Sequence, residues 1–251
     1  GANAEVFAAA AQPDGKVLVG GNFTTLGGVT RPYLARLNTD GSVDIGFNPN
    51  PSITVSSIVL QPDGRIVVGG SFTSIAGVPR VRIARLLASG AIDPSFSAGA
   101  DNSVLSVAVQ ADGRILLGGL FTVVNSTARV VLARLNADGS LDTAFNPVFT
   151  IASSGFQHRV DAIVVQPDGK ILVGGTFGSV NGASSPGLVR LNTDGTRDLS
   201  FNTGSGAISV EAIALASDDR IVVGGSFNTF AGLPRANIAR LNSSGAPDAE
   251  L

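Results

Sequence analysis

The sequence predicts an all-β fold, a five-bladed β-propeller with four antiparallel strands per blade and no strand shared across the closure. Three observations predict it: one motif in five copies, constant spacing inside each copy, and turn chemistry between short apolar runs. The segment Gln61-Pro62-Asp63-Gly64-Arg65-Ile66-Val67-Val68-Gly69-Gly70-Ser71-Phe72 returns at 12–23, 110–121, 166–177 and, degraded at its start, 216–227. An Arg-Leu pair follows each copy, at Arg36, Arg85, Arg134, Arg190 and Arg240, in steps of 49, 49, 56 and 50 residues. Periods of that length belong to blades or arrays.

Each copy reads as four strands. In the second, Val55 to Gln61 is apolar and β-branched, and Pro62-Asp63-Gly64 turns the chain. Arg65 to Phe72 follows, then the loop 73–82, then Ile83 to Leu86. Ser89-Gly90 makes a second tight turn into Ala91 to Phe96. The turn glycines supply the positive φ that short hairpins need. Consecutive apolar positions, as in Ile58-Val59-Leu60 and Ile66-Val67-Val68, suit strands buried on both faces. Gln to Phe is 11 residues, Phe to Arg 13, and Arg to a final Phe (Phe47, Phe96, Phe145, Phe201, then Leu251) 11 again. Only the joint to the next copy varies: 14, 14, 21 and 15 residues. The chain is therefore one repeat-built domain, 1–251, with blades at 1–48, 49–97, 98–146, 147–202 and 203–251.

Composition narrows the function classes. Apolar residues at 44% against 14% charged allow a large core. A net charge of −2 gives no reason to expect nucleic acid or an anionic membrane as partner, and no apolar run is long enough to insert into one. The absence of cysteine excludes thiol chemistry, disulfides and thiolate metal sites and suits an exported bacterial protein. Without a methionine the chain reads as a processed or excised piece, any signal peptide lying outside it. Three glycosylation-like triplets, beginning at Asn22, Asn125 and Asn242, are expected by chance in so Asn/Ser/Thr-rich a chain.

The pattern QPDGK-hydrophobic-VGG-x-F, then ARLN-x-DGS-x-D-x-x-F, resembles the delta-60 repeats of bacterial proteins, and the hydrophobic run with its double glycine also resembles Kelch blades. That resemblance covers all five copies. It implies a propeller within a larger exported or cell-surface bacterial protein, often beside adhesion modules, and no catalytic residues. The fifth copy departs from the pattern, since Ala216-Ser217-Asp218-Asp219 lacks the turn glycine and Leu251 replaces the final Phe.

Residues present in every copy are expected to be scaffold. The five arginines each have an aspartate eight residues on: Asp44, Asp93, Asp142, Asp198 and Asp248. Guanidinium–carboxylate geometry suits bracing strand three to strand four. The double glycines permit close backbone approach or a bulge, and no helix follows them to make a phosphate site. Asn38-x-Asp40-Gly41-x-x-Asp44 and its counterparts lack the twelve-residue loop and terminal Glu of a calcium site, so a hairpin turn explains them and no metal or other cofactor is expected.

Functional candidates are the residues that do not recur. With strand one aligned on Val6, Val55, Val104, Val160 and Val210, the charges Glu5, Arg159, Asp161 and Glu211 have no counterparts in the other copies. His158, the only histidine, lies beside them in an insertion spanning 151–158. These five are the candidate ligand-binding group, expected at a channel mouth on the face that carries the linkers and long loops. Arg31, Arg80, Arg129 and Arg235, one per long loop, are read as loop braces or else as a basic rim. Aromatics outside the repeated core are few (Phe7, Tyr33, Phe149, Phe156, Phe230), which disfavours a sugar-stacking platform. The function expected is a non-enzymatic binding or display module, monomeric within a larger secreted or surface protein, its partner a glycan or a surface protein. The alternatives are a glycan-cleaving enzyme with Asp161 and Glu211 as paired carboxylates, and a purely structural spacer.

Overall fold

The computed structural model describes residues 1–150, 157–204 and 209–248, and among these every regular element is a strand. Each repeat folds as a three-stranded antiparallel meander in which neighbours in sequence are neighbours in the sheet. In repeat two the strands are Val55–Leu60, Ile66–Gly70 and Ile83–Leu86. Gly64 takes φ 82° at the first turn, the left-handed region where a Cβ would be strained. Gly15, Gly113 and Gly169 do the same, while in repeat five Asp219 carries the turn at φ 63°.

Two features depart from the four-strand expectation. The fourth run is not a strand: it touches strand three through one bridge per repeat, Leu37–Val43, Leu86–Ile92, Leu135–Leu141, Leu191–Arg197 and Leu241–Pro247. The Asp that accepts from the strand-three Arg bends the chain directly after that bridge, and no further ladder forms. The long loop, in turn, is itself a hairpin of two-residue strands, such as Ser74–Ile75 with Val78–Pro79. The linker ahead of each repeat is clipped to that hairpin. Asn3, Ser52 and Asp101 each accept from two successive backbone N–H groups of their own repeat's hairpin. In repeat four the linker adds a short strand, Phe149–Thr150, beside Ser179–Val180. This is how a joint of variable length meets a constant body.

The double glycine has two separate causes. Strand one bulges one residue after its first Val, with shifts between Val6 and Ala8, Val55 and Ser57, Val160 and Ala162, and Val210 and Ala212. At the bulge the carbonyl of Glu5, Thr54, Arg159 or Ser209 lies where a Cβ on Gly21, Gly70, Gly175 or Gly225 would sit. The other glycine faces the next repeat. A Cβ on Gly20 would lie 2.8 Å from Val55, one on Gly69 2.6 Å from Val104, and one on Gly174 2.8 Å from Val210. The final Phe also reaches forward: Phe47 covers Gly90, Phe145 covers Gly195 and Phe201 covers Gly245.

Contacts divide the chain into two compact units, Gly1–Leu117 with Phe121–Ala128 and Arg134–Leu141, and Asp142–Leu251 with Gly118–Leu120 and Arg129–Ala133. One core of the first unit joins Leu18, Phe47, Val55, Ile66, Phe72, Ile75 and Leu86. A core of the second joins Leu172, Phe201, Val210, Ile221, Phe227 and Phe230.

Candidate functional site

The repeated charges assemble into a brace. Arg36 Nε donates to Asp44 at 2.9 Å, Arg85 to Asp93 at 2.7 Å, Arg190 to Asp198 at 2.7 Å and Arg240 to Asp248 at 2.9 Å. A second cation from the start of strand two joins the same carboxylate: Lys16 on Asp44 at 2.8 Å, Arg65 on Asp93 at 3.0 Å and Lys170 on Asp198 at 3.0 Å. The guanidinium also reaches the glycine turn that follows strand three of the next repeat, Arg36 to the Ala88 carbonyl at 2.7 Å and Arg190 to that of Ser243 at 2.6 Å. Its carbon lies 4.5 Å from the ring centroids of Phe47 and Phe201 respectively.

The acid chemistry follows. The Lys16 hydrogen bond and the Arg36 pair hold Asp44 down to about 2 against its partial burial. Burial would raise Asp93, but hydrogen bonds from Ser95 and Arg85 outweigh it and hold the carboxyl at about 2. Asp198 is lowered for the same reasons, with Ser200, Lys170 and Arg190 as donors. Asp40 accepts from the Ser42 backbone and hydroxyl at 2.9 and 2.6 Å, so its carboxylate closes a hairpin turn.

The unrepeated charges occupy the bulges. Asp161 and Glu211 are the residues skipped in the pairing registers, Val160 facing Gly175 and Ala162 facing Gly174, and Val210 facing Gly225 and Ala212 facing Gly224. A bulge re-aims the side chain it carries. Arg159 Nε donates to Asp161 at 2.8 Å, and its other arm lies 3.8 Å from Glu211, which also accepts from Ser226 Oγ at 2.8 Å. Asp161's side chain is 14% exposed, against 38% for Arg159 and 46% for Glu211. Burial therefore raises the Asp161 carboxyl above its ordinary value, Arg159 opposes that, and the Glu211 charge reinforces it.

The structure thus brings Arg159, Asp161 and Glu211 together in the second unit. Glu5 belongs to the first unit, where it is exposed and its carbonyl accepts from the Asn22 N–H at 2.8 Å. His158 is partly buried, with Nε2 unpartnered among the described residues. Burial lowers its pKa, opposed by a hydrogen bond with the Thr150 backbone. Most of the insertion, 151–156, lies outside the described residues, as do Phe156 and Leu251.

The loop arginines bond to backbone. Arg31 reaches the Ile45 carbonyl at 2.8 Å, Arg129 that of Thr143 at 3.2 Å and Arg235 that of Asp248 at 3.1 Å, while Arg80 caps the Pro79 carbonyl at 2.8 Å. Phe149 and Phe230, counted from sequence as aromatics outside the core, are buried and stack edge-on with Phe177 and Phe227 at 5.1 and 5.5 Å. Two concavities, of about 480 and 460 Å³, open beside the Pro-Asp-Gly turns, at the opposite strand end from the bulges. Gln166, Asp168, Arg190 and Ser243 line one, and Gln61, Asp63, Arg85 and Asp138 the other. Both are gaps between consecutive repeats, built from scaffold residues, and sequence reasoning did not anticipate them.

Solved structures with the same fold include virginiamycin B lyase from Staphylococcus aureus, 15% identical with a TM-score of 0.56 over 97% of this chain and 68% of that one. A protein of unknown function from Bacteroides caccae matches at 13% identity and TM-score 0.55, over 97% and 80%. The extracellular domain of a putative one component system from B. thetaiotaomicron matches at 14% and 0.52, over 94% of this chain and 27% of that one. At such identities the likeness is one of fold alone. No curated protein matches the sequence. A family model matches at residues 12–47, 61–96, 110–145, 166–201 and 216–250, once per repeat, and the chain belongs to that family, described as "Domain of unknown function (DUF5122) beta-propeller".

Proposed function

We propose that the chain is a non-enzymatic binding or display module of an exported or cell-surface bacterial protein, its five repeats serving as propeller blades whose fourth, bridge-forming runs complete each blade. The observation that carries this reading is the contrast in charge use. The recurrent Arg–Asp pairs are engaged in bracing, whereas Arg159 and Glu211 leave more than a third of their side chains exposed beside Asp161. Such a mixed cluster of donors and acceptors suits the hydroxyl and carboxylate groups of a glycan or of a surface protein's polar patch. The extracellular domain among the structural neighbours supports an extracellular setting.

Glycan cleavage is the second reading, favoured by the raised Asp161 carboxyl, which suits a general acid. Against it stands Arg159, which bridges the two carboxylates that would have to act as separate acid and base. The test is a binding screen of the purified chain against neutral and acidic oligosaccharides, run alongside chromogenic glycosides. Saccharide binding lost in Asp161→Ala and Arg159→Ala, with unfolding midpoints unchanged, is the expected result. Hydrolysis lost in Asp161→Ala would move the assignment to the enzyme. Binding indifferent to both substitutions would remove the cluster from any site.

A further inference from the structure

The two cavities beside the Pro-Asp-Gly turns are one notch built twice, once within each compact unit. Gln61, Arg85 and Ser95 of the first stand where Gln166, Arg190 and Ser200 stand in the second. The far lip comes from the following repeat, Ala137 and Asp138 in one and Ser243 and Ser244 in the other. Volumes of about 460 and 480 Å³ are those of small-ligand clefts.

The arginine forms the floor, its side chain 6% exposed at Arg85 and 7% at Arg190. Three contacts fix its guanidinium: the brace aspartate, the far-lip carbonyl of Ala137 or Ser243, and a serine hydroxyl. Arg85 donates to Ser95 at 3.1 Å and Arg190 to Ser200 at 3.3 Å. That serine does not recur in repeats one and three, which have Gly46 and Ala144 at its position. The glutamine forms the wall. Gln61 is over nine-tenths buried, and the side-chain oxygens of Gln61 and Gln166 are covered with no hydrogen-bond partner among the described residues. In repeat three, by contrast, Arg134 donates to Gln110 at 3.5 Å. A covered amide oxygen without a donor is costly, so each notch lacks a hydrogen-bond donor that the fold does not supply.

Charge on the lip narrows what could bring that donor. Asp63 and Asp138 flank the first notch, and Asp168 and Asp219 the second. The Arg65 backbone is the chief cause that lowers Asp63, and the Ser140 hydroxyl the chief cause for Asp138; the Arg85 charge lowers both. A cation therefore meets a buried guanidinium, and an anion meets two carboxylates. Neighbouring groups that both donate and accept, without net charge, fit both signs at once. We propose that the two notches bind a neutral polyhydroxylated ligand of mono- or disaccharide size, its hydroxyls donating to Gln61 and Asp63, or Gln166 and Asp168, and accepting from the floor arginine. The notches lie at the opposite strand end from Arg159, Asp161 and Glu211, so this site and that cluster stand or fall separately.

The test is an amide-resolved NMR titration of the 251-residue chain with glucose, galactose, mannose and trehalose. Glucuronate and glucosamine serve as the anionic and cationic counterparts. At least one neutral sugar should give saturable shifts at Gly113, Ala137 and Asp138, and at Asp219, Ser243 and Ser244. The charged sugars should bind at least about tenfold more weakly, since each sets a like charge against the notch. Gln61→Leu should abolish the first set and spare the second, and Gln166→Leu should do the reverse, so the untouched notch reports an intact fold. Ala137→Trp, at an exposed lip position, should block the first notch without touching its polar groups. Asp161→Ala should leave both sets unchanged. Without saturable shifts from any neutral sugar, the notches are water-filled gaps and the proposal fails. Shifts that persist in both Gln61→Leu and Ala137→Trp would place the sugar elsewhere. Tighter binding of glucuronate or glucosamine would overturn the neutral class.

Discussion

Asp93 and Asp161 are both aspartates bonded to an arginine Nε at 2.7–2.8 Å, yet their carboxyls move in opposite directions. Asp93 is 2% exposed and takes Arg85, Arg65, the Ser95 backbone and the Ser95 hydroxyl. Asp161 is also largely covered but, among the described residues, is paired with Arg159, itself over a third exposed, and has a second carboxylate nearby. Burial penalises the charged form in both; the number and solvation of the donors decide the outcome. The first arrangement holds a fold together, and the second leaves charge available for a ligand.

The strongest way to break that contrast is to remove a brace. Arg85→Ala should lower stability by about 3 kcal/mol, because it strands a buried carboxylate that Arg65 and Ser95 only partly satisfy. Chemical denaturation would measure it, and a loss below about 1 kcal/mol would reduce the brace to an ordinary surface pair.

Acid titration separates the two kinds of carboxylate. Asp44 and Asp93, held at about 2 in the folded chain, have an unfolded value near 3.9. A depressed carboxyl stabilises the fold above its unfolded pKa and loses that contribution as pH falls through the folded one. Each should therefore contribute about 2 kcal/mol at neutral pH, lost between roughly pH 4 and 2. Denaturation midpoints across that range should fall less steeply in Asp93→Asn. Asp161 has the opposite sign: its raised carboxyl costs stability once ionised, so Asp161→Asn at pH 7 should be neutral or stabilising by under about 1 kcal/mol. A destabilisation as large as that of Arg85→Ala would make Asp161 scaffold after all.

A smaller effect is expected at the degraded turn. Asp219→Gly should stabilise the chain by about 0.5–1 kcal/mol, by relieving the left-handed φ that glycine adopts freely. Thermal unfolding would register it, and an unchanged midpoint would mean the Asp side chain compensates locally.

Much of the scaffold was legible because it recurs at constant spacing. The Arg–Asp brace spans eight residues in every repeat, so its geometry could be read from the sequence alone. The second cation was not legible: Lys16 and Asp44 stand 28 residues apart, and only the sheet brings the start of strand two beneath the fourth run. The hairpin hidden in the long loop escaped because two-residue strands carry no periodicity. Of the candidate site, Arg159, Asp161 and Glu211 were found by their failure to recur; that bulges present them could not be read, since a bulge is a register fact between two strands.

The sequence by itself determined the repeat, its turns, its all-β character and which residues its copies share. Local backbone chemistry and constant spacing suffice for that. Only the tertiary structure decided why two glycines are needed, since one answers a bulged carbonyl within the repeat and the other a valine about 35 residues away.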